Sequence, residues 1–144
     1  MSYGGTWYLT VVPILSAAIM HAANTSRMNK TYAAIKGTIR TRMDLNLVRD
    51  AINLSMKLAV MYIALFVILI LALFGFVFLL RISIFTGAAH LFVFGIVTLP
   101  LGLWSRMAER TIKTLQVESD NPEIEKKYRE FLVKWEQPRI KLPE

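Results

Sequence analysis

The chain contains no cysteine. That excludes disulfides, thiolate metal sites and cysteine-ligated iron–sulfur clusters. Its only histidines are His21 and His90, too few for a His-rich metal site. The most informative absence is of charge. Between Leu58 and Trp104 the single charged residue is Arg81, and no Asp or Glu falls in any apolar stretch. A proton or cation path ordinarily needs an intramembrane carboxylate, so an ion-coupled transporter is not expected. A pore lined by backbone, Thr or hydrophobic rings is compatible with the same absence. No P-loop, Rossmann glycine pattern or zinc-type histidine spacing occurs. The serines have no nearby His–Asp partners in sequence. No enzyme activity, cofactor or metal is expected. Residues 1–6 lack a basic segment and a convincing cleavage site, so no secretory signal is expected.

What is present is apolar. Hydrophobic residues make up 55% of the 144. They are concentrated in the first quarter and in one central block, which places the chain in the membrane class before any fold argument. The block 58–104 would be about 70 Å long as one helix, over twice a hydrocarbon core of ~30 Å. It must turn once, and a turn at Arg81–Thr86 divides it into spans Leu58–Leu80 and Thr86–Trp104. Ser83 or Thr86 is the expected cap of the second span. In that span Ala88, Gly95 and Gly102 recur at seven-residue spacing, with Leu91 and Thr98 between them. The first span offers Ala64, Ala72 and Gly75. Small residues on one stripe let another helix approach closely, so these six are the candidate helix-packing residues. They serve either the hairpin itself or an oligomer seam. Pro100 is expected to kink the second span.

Thr6–Ala23 is apolar and uncharged, with Trp7 and Tyr8 suited to an aromatic belt. It reads as a third span, stopped by Asn24–Thr25–Ser26, with Ala18 and Ala22 as a small-residue pair. Lys and Arg set the orientation. Arg27, Lys30, Lys36, Arg40, Arg42, Arg49 and Lys57 follow the first span, and Arg106, Arg110 and Lys113 follow the last. The positive-inside rule puts the N-terminus outside and the C-terminus in the cytosol, in the plasma (inner) membrane. The expected organisation is an all-α integral membrane protein. Residues 1–24 form a transmembrane helix, 25–57 a basic cytosolic linker, 58–104 a transmembrane hairpin, and 105–144 a cytosolic helical tail.

In the linker, Ile35, Ile39 and Met43 lie at i+4 spacing beside Lys36, Arg40 and Arg42. This predicts an amphipathic helix over 31–43 whose three basic residues meet anionic lipid headgroups. Asp44 is the expected cap of a helix running into the first hairpin span. After Trp104 the helix should continue through Leu115. Asp120–Asn121–Pro122–Glu123 then starts another helix. Ile124, Tyr128, Phe131, Leu132 and Trp135 share one of its faces. Residues 122–136 carry equal numbers of acids and bases, which suits a protein contact better than lipid. That stripe is the candidate partner-docking surface, against the 24–57 loop or another chain. Glu123–Lys127, Glu125–Arg129 and Glu130–Lys134 should pair along the helix. Pro138 should end it.

His21 and His90 are the only cofactor-binding candidates. They fall near opposite ends of their helices, roughly 15–20 Å apart in depth, so they cannot share one haem within a chain. Three functions fit. The leading one is a non-catalytic subunit of a larger membrane protein complex, with other membrane subunits as partners and no nucleic acid. The others are a self-oligomerising pore or channel, and a redox anchor sharing a haem or quinone with a partner through His21 or His90.

Overall fold

A computed structural model describes residues 7–81, 83–137 and 142. The described element order is α1 (Tyr8–Ala34), β1 (Thr38–Ile39), α2 (Arg42–Leu80), α3 (Ile84–Lys113), β2 (Gln116–Val117) and α4 (Pro122–Trp135). The helices α1, α2 and α3 are each long and apolar enough to cross a membrane. The chain is an all-α, multi-pass membrane protein. Thr6 and Pro138 lie outside the described residues.

The hairpin forms with a tighter turn than 81–86. Arg81 ends α2 in the left-handed conformation, at φ 50°. The Ser83 side chain then caps α3 by accepting from the Phe85 N–H at 3.3 Å. The helix α2 starts three residues earlier than expected. Its cap is Thr41, whose hydroxyl accepts from Asp44 N–H, while the Asp44 carboxylate accepts from Thr41 N–H. Asp44 is thus the third helical residue of a capping box.

The first helix does not stop at Asn24–Thr25–Ser26. It runs to Ala34, because Asn24 and Thr25 are buried rather than hydrated. It ends where Lys36 (φ 53°) and Gly37 (φ 74°) both turn left-handed. A Cβ at Gly37 would lie 2.9 Å from the Tyr32 hydroxyl oxygen, so both dihedral and space favour glycine there. The amphipathic helix expected over 31–43 therefore does not form. Ile35 and Ile39 are buried by the turn and strand, and Met43 is 73% exposed. Strand β1 pairs in parallel with β2, Thr38 opposite Gln116 and Ile39 opposite Val117. This ties the α1–α2 connection to the chain leaving α3. The segment 25–57 comprises the basic ends of α1 and α2 joined by that turn and strand.

Two cores result. A small one lies among the spans, where Ala17 of α1, Leu69 and Leu73 of α2 and Phe94 of α3 are buried. The larger one lies at the basic end, built from the inner extensions of all three helices and from α4. Its interior includes Met28, Ile52, Ile112 and Phe131. The helix α1 packs along both α2 and α3, whereas α2 and α3 meet each other much less. The expected side-by-side packing of the hairpin is replaced by two helices leaning on a shared third.

Candidate functional site

The inner end of the spans is closed by polar side chains from all three helices. The Asn24 amide nitrogen on α1 donates to Ser105 Oγ at 2.8 Å and to Glu109 Oε1 at 2.7 Å, both on α3. Ser55 on α2 donates to the same carboxylate oxygen at 2.9 Å. A carboxylate only accepts, so the Asn24 amide has one possible orientation. Its Oδ1 then points away from Glu109 and has no partner. Asn24, Ser55 and Ser105 are 5%, 3% and 3% exposed. Hydrogen bonds to a charged group contribute about 1.5–3 kcal/mol each, so this cluster fixes where the three helices meet.

Directly beside it opens a cleft of about 590 Å³. Its polar lining includes His21, Asn24, Tyr62, Arg106 and Glu109; Leu58, Leu99 and Leu103 supply much of the apolar part. The His21 ring lies 5.1 Å from the Tyr62 ring, and its buried Nε2 has no partner. Thr98 donates to the Phe94 carbonyl at 2.8 Å. Its proton being spent there, the Tyr62 hydroxyl is the donor in the 3.2 Å contact between Tyr62 and Thr98.

The two histidines sit in different settings. His90 Nδ1 is 2.6 Å from Thr10 Oγ1, and Trp7 lies against its ring at 4.6 Å. Thr10 and His21 are both on α1, so the two sites are about 16 Å apart along the bundle. Among the described residues no cluster of three metal-ligating side chains occurs.

The small-residue candidates are not brought together. Gly102 faces His21 of α1, 3.7 Å from the position of a Cβ. A Cβ at Gly75 or Gly95 would meet nothing within 4 Å. Ala64 and Ala88 are exposed and Ala72 is half-buried. At about 100° per residue, Ala88 and Gly95 lie roughly 90–120° around α3 from Phe94, the centre of its buried face. They flank the internal contact and do not form it.

The C-terminal stripe is spent inside the chain, against residues of the 24–57 segment, which is the first of its two expected settings and leaves it unavailable to another chain. Ile124, Tyr128 and Phe131 are 4–5% exposed, and Leu132 and Trp135 pack on the same core. Asn121 caps α4 by accepting from Glu123 N–H at 2.9 Å. The Tyr128 hydroxyl donates to the Ile112 carbonyl at 2.6 Å, and burial pushes its pKa up to about 12. The expected pairs Glu125–Arg129 and Glu130–Lys134 form, but Glu123 pairs with Arg42 at 3.3 Å instead of with Lys127. Arg40 pairs with Glu118 at 3.4 Å. Two of the three lipid-headgroup candidates are thus engaged by acids of the same chain. Lys36 is exposed in the turn after α1.

Sequence reasoning missed Glu109, Asn24, Ser55 and Ser105. One signal was available, since Glu109 is the sole acid between Asp50 and Glu118. No family model matches the chain, and no curated protein or solved structure is significantly similar to it.

Proposed function

We propose that this chain is a non-catalytic subunit of a larger membrane protein assembly, seated in the plasma (inner) membrane. Its N-terminus lies outside, and its basic end and C-terminus lie in the cytosol. The orientation rests on Arg27, Lys30, Lys57, Arg106 and Arg110 at one end of the bundle against Arg81 at the other. The observation that carries the assembly reading is the unused small-residue face of α3. Ala88 and Gly95 are exposed, and a Cβ at Gly95 would meet nothing within 4 Å among the described residues. Between membrane helices such a face permits close backbone approach, and the internal fold makes no use of it. The aromatic stripe of α4 plays no part in this reading.

The test is native mass in mild detergent with an absorbance spectrum, on wild type and Gly95→Leu. The wild type should run as a heteromer. Gly95→Leu should keep the fold, because its side chain enters open space, and should release the partners. A monomeric wild type, or a Gly95→Leu chain that stays in the assembly, refutes the reading. A colourless homo-oligomer would replace it by the self-assembling pore, and a Soret band by the redox anchor.

A further inference from the structure

The cleft beside Glu109 has a definite architecture. Its exposed lining residues include Ile63 of α2 and Leu99, Leu103 and Arg106 of α3, while its α1 lining is half-buried or buried. The cleft therefore opens between α2 and α3, with α1 as its floor. Ile63, Leu99 and Leu103 are 62%, 63% and 51% exposed and apolar, so in a bilayer the mouth faces acyl chains. Arg106 lines the cleft's basic-end half, and Trp104, Arg27 and Lys57 stand within about three residues of lining residues in sequence. Those residue types mark the headgroup level.

Along α3 the lining changes in a fixed order. Leu99 and Leu103 come first, then Arg106, then Glu109 one turn nearer the basic end. The four residues span about 15 Å along the helix axis. Apolar chain, then anion-binding guanidinium, then cation-binding carboxylate is the order that a zwitterionic phospholipid presents from the bilayer interior outward. Among the described residues neither Arg106 nor Glu109 forms an ion pair.

Several donors at that end are already committed. The Asn24 amide nitrogen and the Ser55 hydroxyl already donate to cluster partners. The Tyr62 proton goes to Thr98. Asn24 Oδ1 is left buried with nothing to accept, and the Glu109 oxygen Oε2 takes no hydrogen bond from the described residues. Ser105, His21 and Arg106 also line the cleft and carry donors, but beside the free Glu109 oxygen an occupant with an N–H donor and positive charge fits best.

We propose that this cleft binds a phospholipid bearing a primary ammonium headgroup, of which phosphatidylethanolamine is the simplest. Its ammonium donates to the Glu109 carboxylate, its phosphate meets Arg106, and its acyl chain leaves past Leu103 and Leu99. A choline head has no N–H to donate. A glycerol head has no cation. A serine head adds a second carboxylate beside Glu109.

The full chain, purified in mild detergent and stripped of lipid, is titrated with phosphatidylethanolamine, phosphatidylcholine and phosphatidylglycerol, and bound lipid is counted by native mass spectrometry. One phosphatidylethanolamine per chain is expected, at least about tenfold tighter than either other lipid, since a charged hydrogen bond is at stake. Glu109→Gln should remove that preference. Leu103→Trp, which fills the mouth and leaves the polar cluster intact, should abolish binding even if Glu109→Gln fails to fold. Equal binding of the three lipids, or retention of phosphatidylethanolamine by Leu103→Trp, overturns the proposal. So does free phosphoethanolamine binding as tightly as the lipid, which would make the ligand a soluble zwitterion.

Discussion

The polar cluster can be tested by exchanging donor and acceptor across it. Asn24→Asp is nearly isosteric, so packing around α1 is preserved. The side chain loses the N–H that reaches Glu109 at 2.7 Å and sets a second carboxylate against the first. The lost charged hydrogen bond costs about 1.5–3 kcal/mol, and the repulsion adds to it. The Ser105 contact survives, because Ser105 can donate to the introduced carboxylate in place of accepting from the Asn24 amide. The expected loss is at least about 3 kcal/mol, a large share of a typical ~5–15 kcal/mol of stability. Glu109→Gln alone keeps the acceptor for Ser55 and Asn24 but loses its charge, and should cost about 1 kcal/mol. In the double variant, Asn24→Asp with Glu109→Gln, the new amide on α3 donates to the new carboxylate on α1. Ser55 and Asn24 share one oxygen of Glu109, so the amide nitrogen that replaces it gives its second N–H to Ser55 Oγ, and each hydrogen bond is remade with reversed polarity. Stability should return to within about 1 kcal/mol of wild type, a coupling of at least about 3 kcal/mol. The assay is unfolding in mixed micelles by titrated denaturing detergent, followed by circular dichroism, on all four proteins. Additive losses, or an Asn24→Asp chain as stable as wild type, would refute the claim that Asn24 and Glu109 fasten α1 to α3.

Two further outcomes follow from the larger core. Phe131→Ala empties a site 5% exposed and should cost about 3–5 kcal/mol, seen as protease cleavage near α4 while the spans stay protected. The Tyr128 phenol is held above its ordinary pKa of 10.0, at about 12. The neutral form is favoured in the fold, so its contribution is complete below pH 10 and is lost as pH rises through about 12. Docking of α4, followed by Trp135 fluorescence, should weaken across that interval in wild type. Tyr128→Phe should show no such loss; an identical pH profile in the variant would contradict the assignment.

The helices were legible because their signals are local. Uninterrupted apolar length marks the spans, and Asn121–Pro122 marks the start of α4. The Ser83 cap follows from one side chain reaching a backbone N–H two residues on. The failures share a different cause. Asn24–Thr25–Ser26 reads as a stop if the polar groups face water. It reads as helix interior if another helix supplies partners, and those partners stand 81 and 85 residues away. Glu109 looks like one acid in a basic tail until Ser55, 54 residues distant, is placed beside it. The i+4 spacing of Ile35, Ile39 and Met43 was outweighed by Lys36–Gly37, where the chain turns left-handed. The seven-residue stripe did not tell the hairpin from an oligomer seam, because 3.6 residues per turn rotates such a stripe by about 20° each repeat and nothing in it says which face the neighbouring helix will choose.

The helix α2 has 39 residues, about 58 Å of rod, of which a bilayer core takes only ~30 Å. It holds no proline, and its one glycine, Gly75, lies near its C-terminal end, so it has no built-in hinge between its apolar span and its basic end. The part outside the bilayer is clamped in the core that also grips α4. A change in bilayer thickness that alters helix tilt therefore cannot be absorbed by bending. It is carried as rotation through the basic end, which makes the larger core a lever whose fulcrum is the lipid headgroup plane.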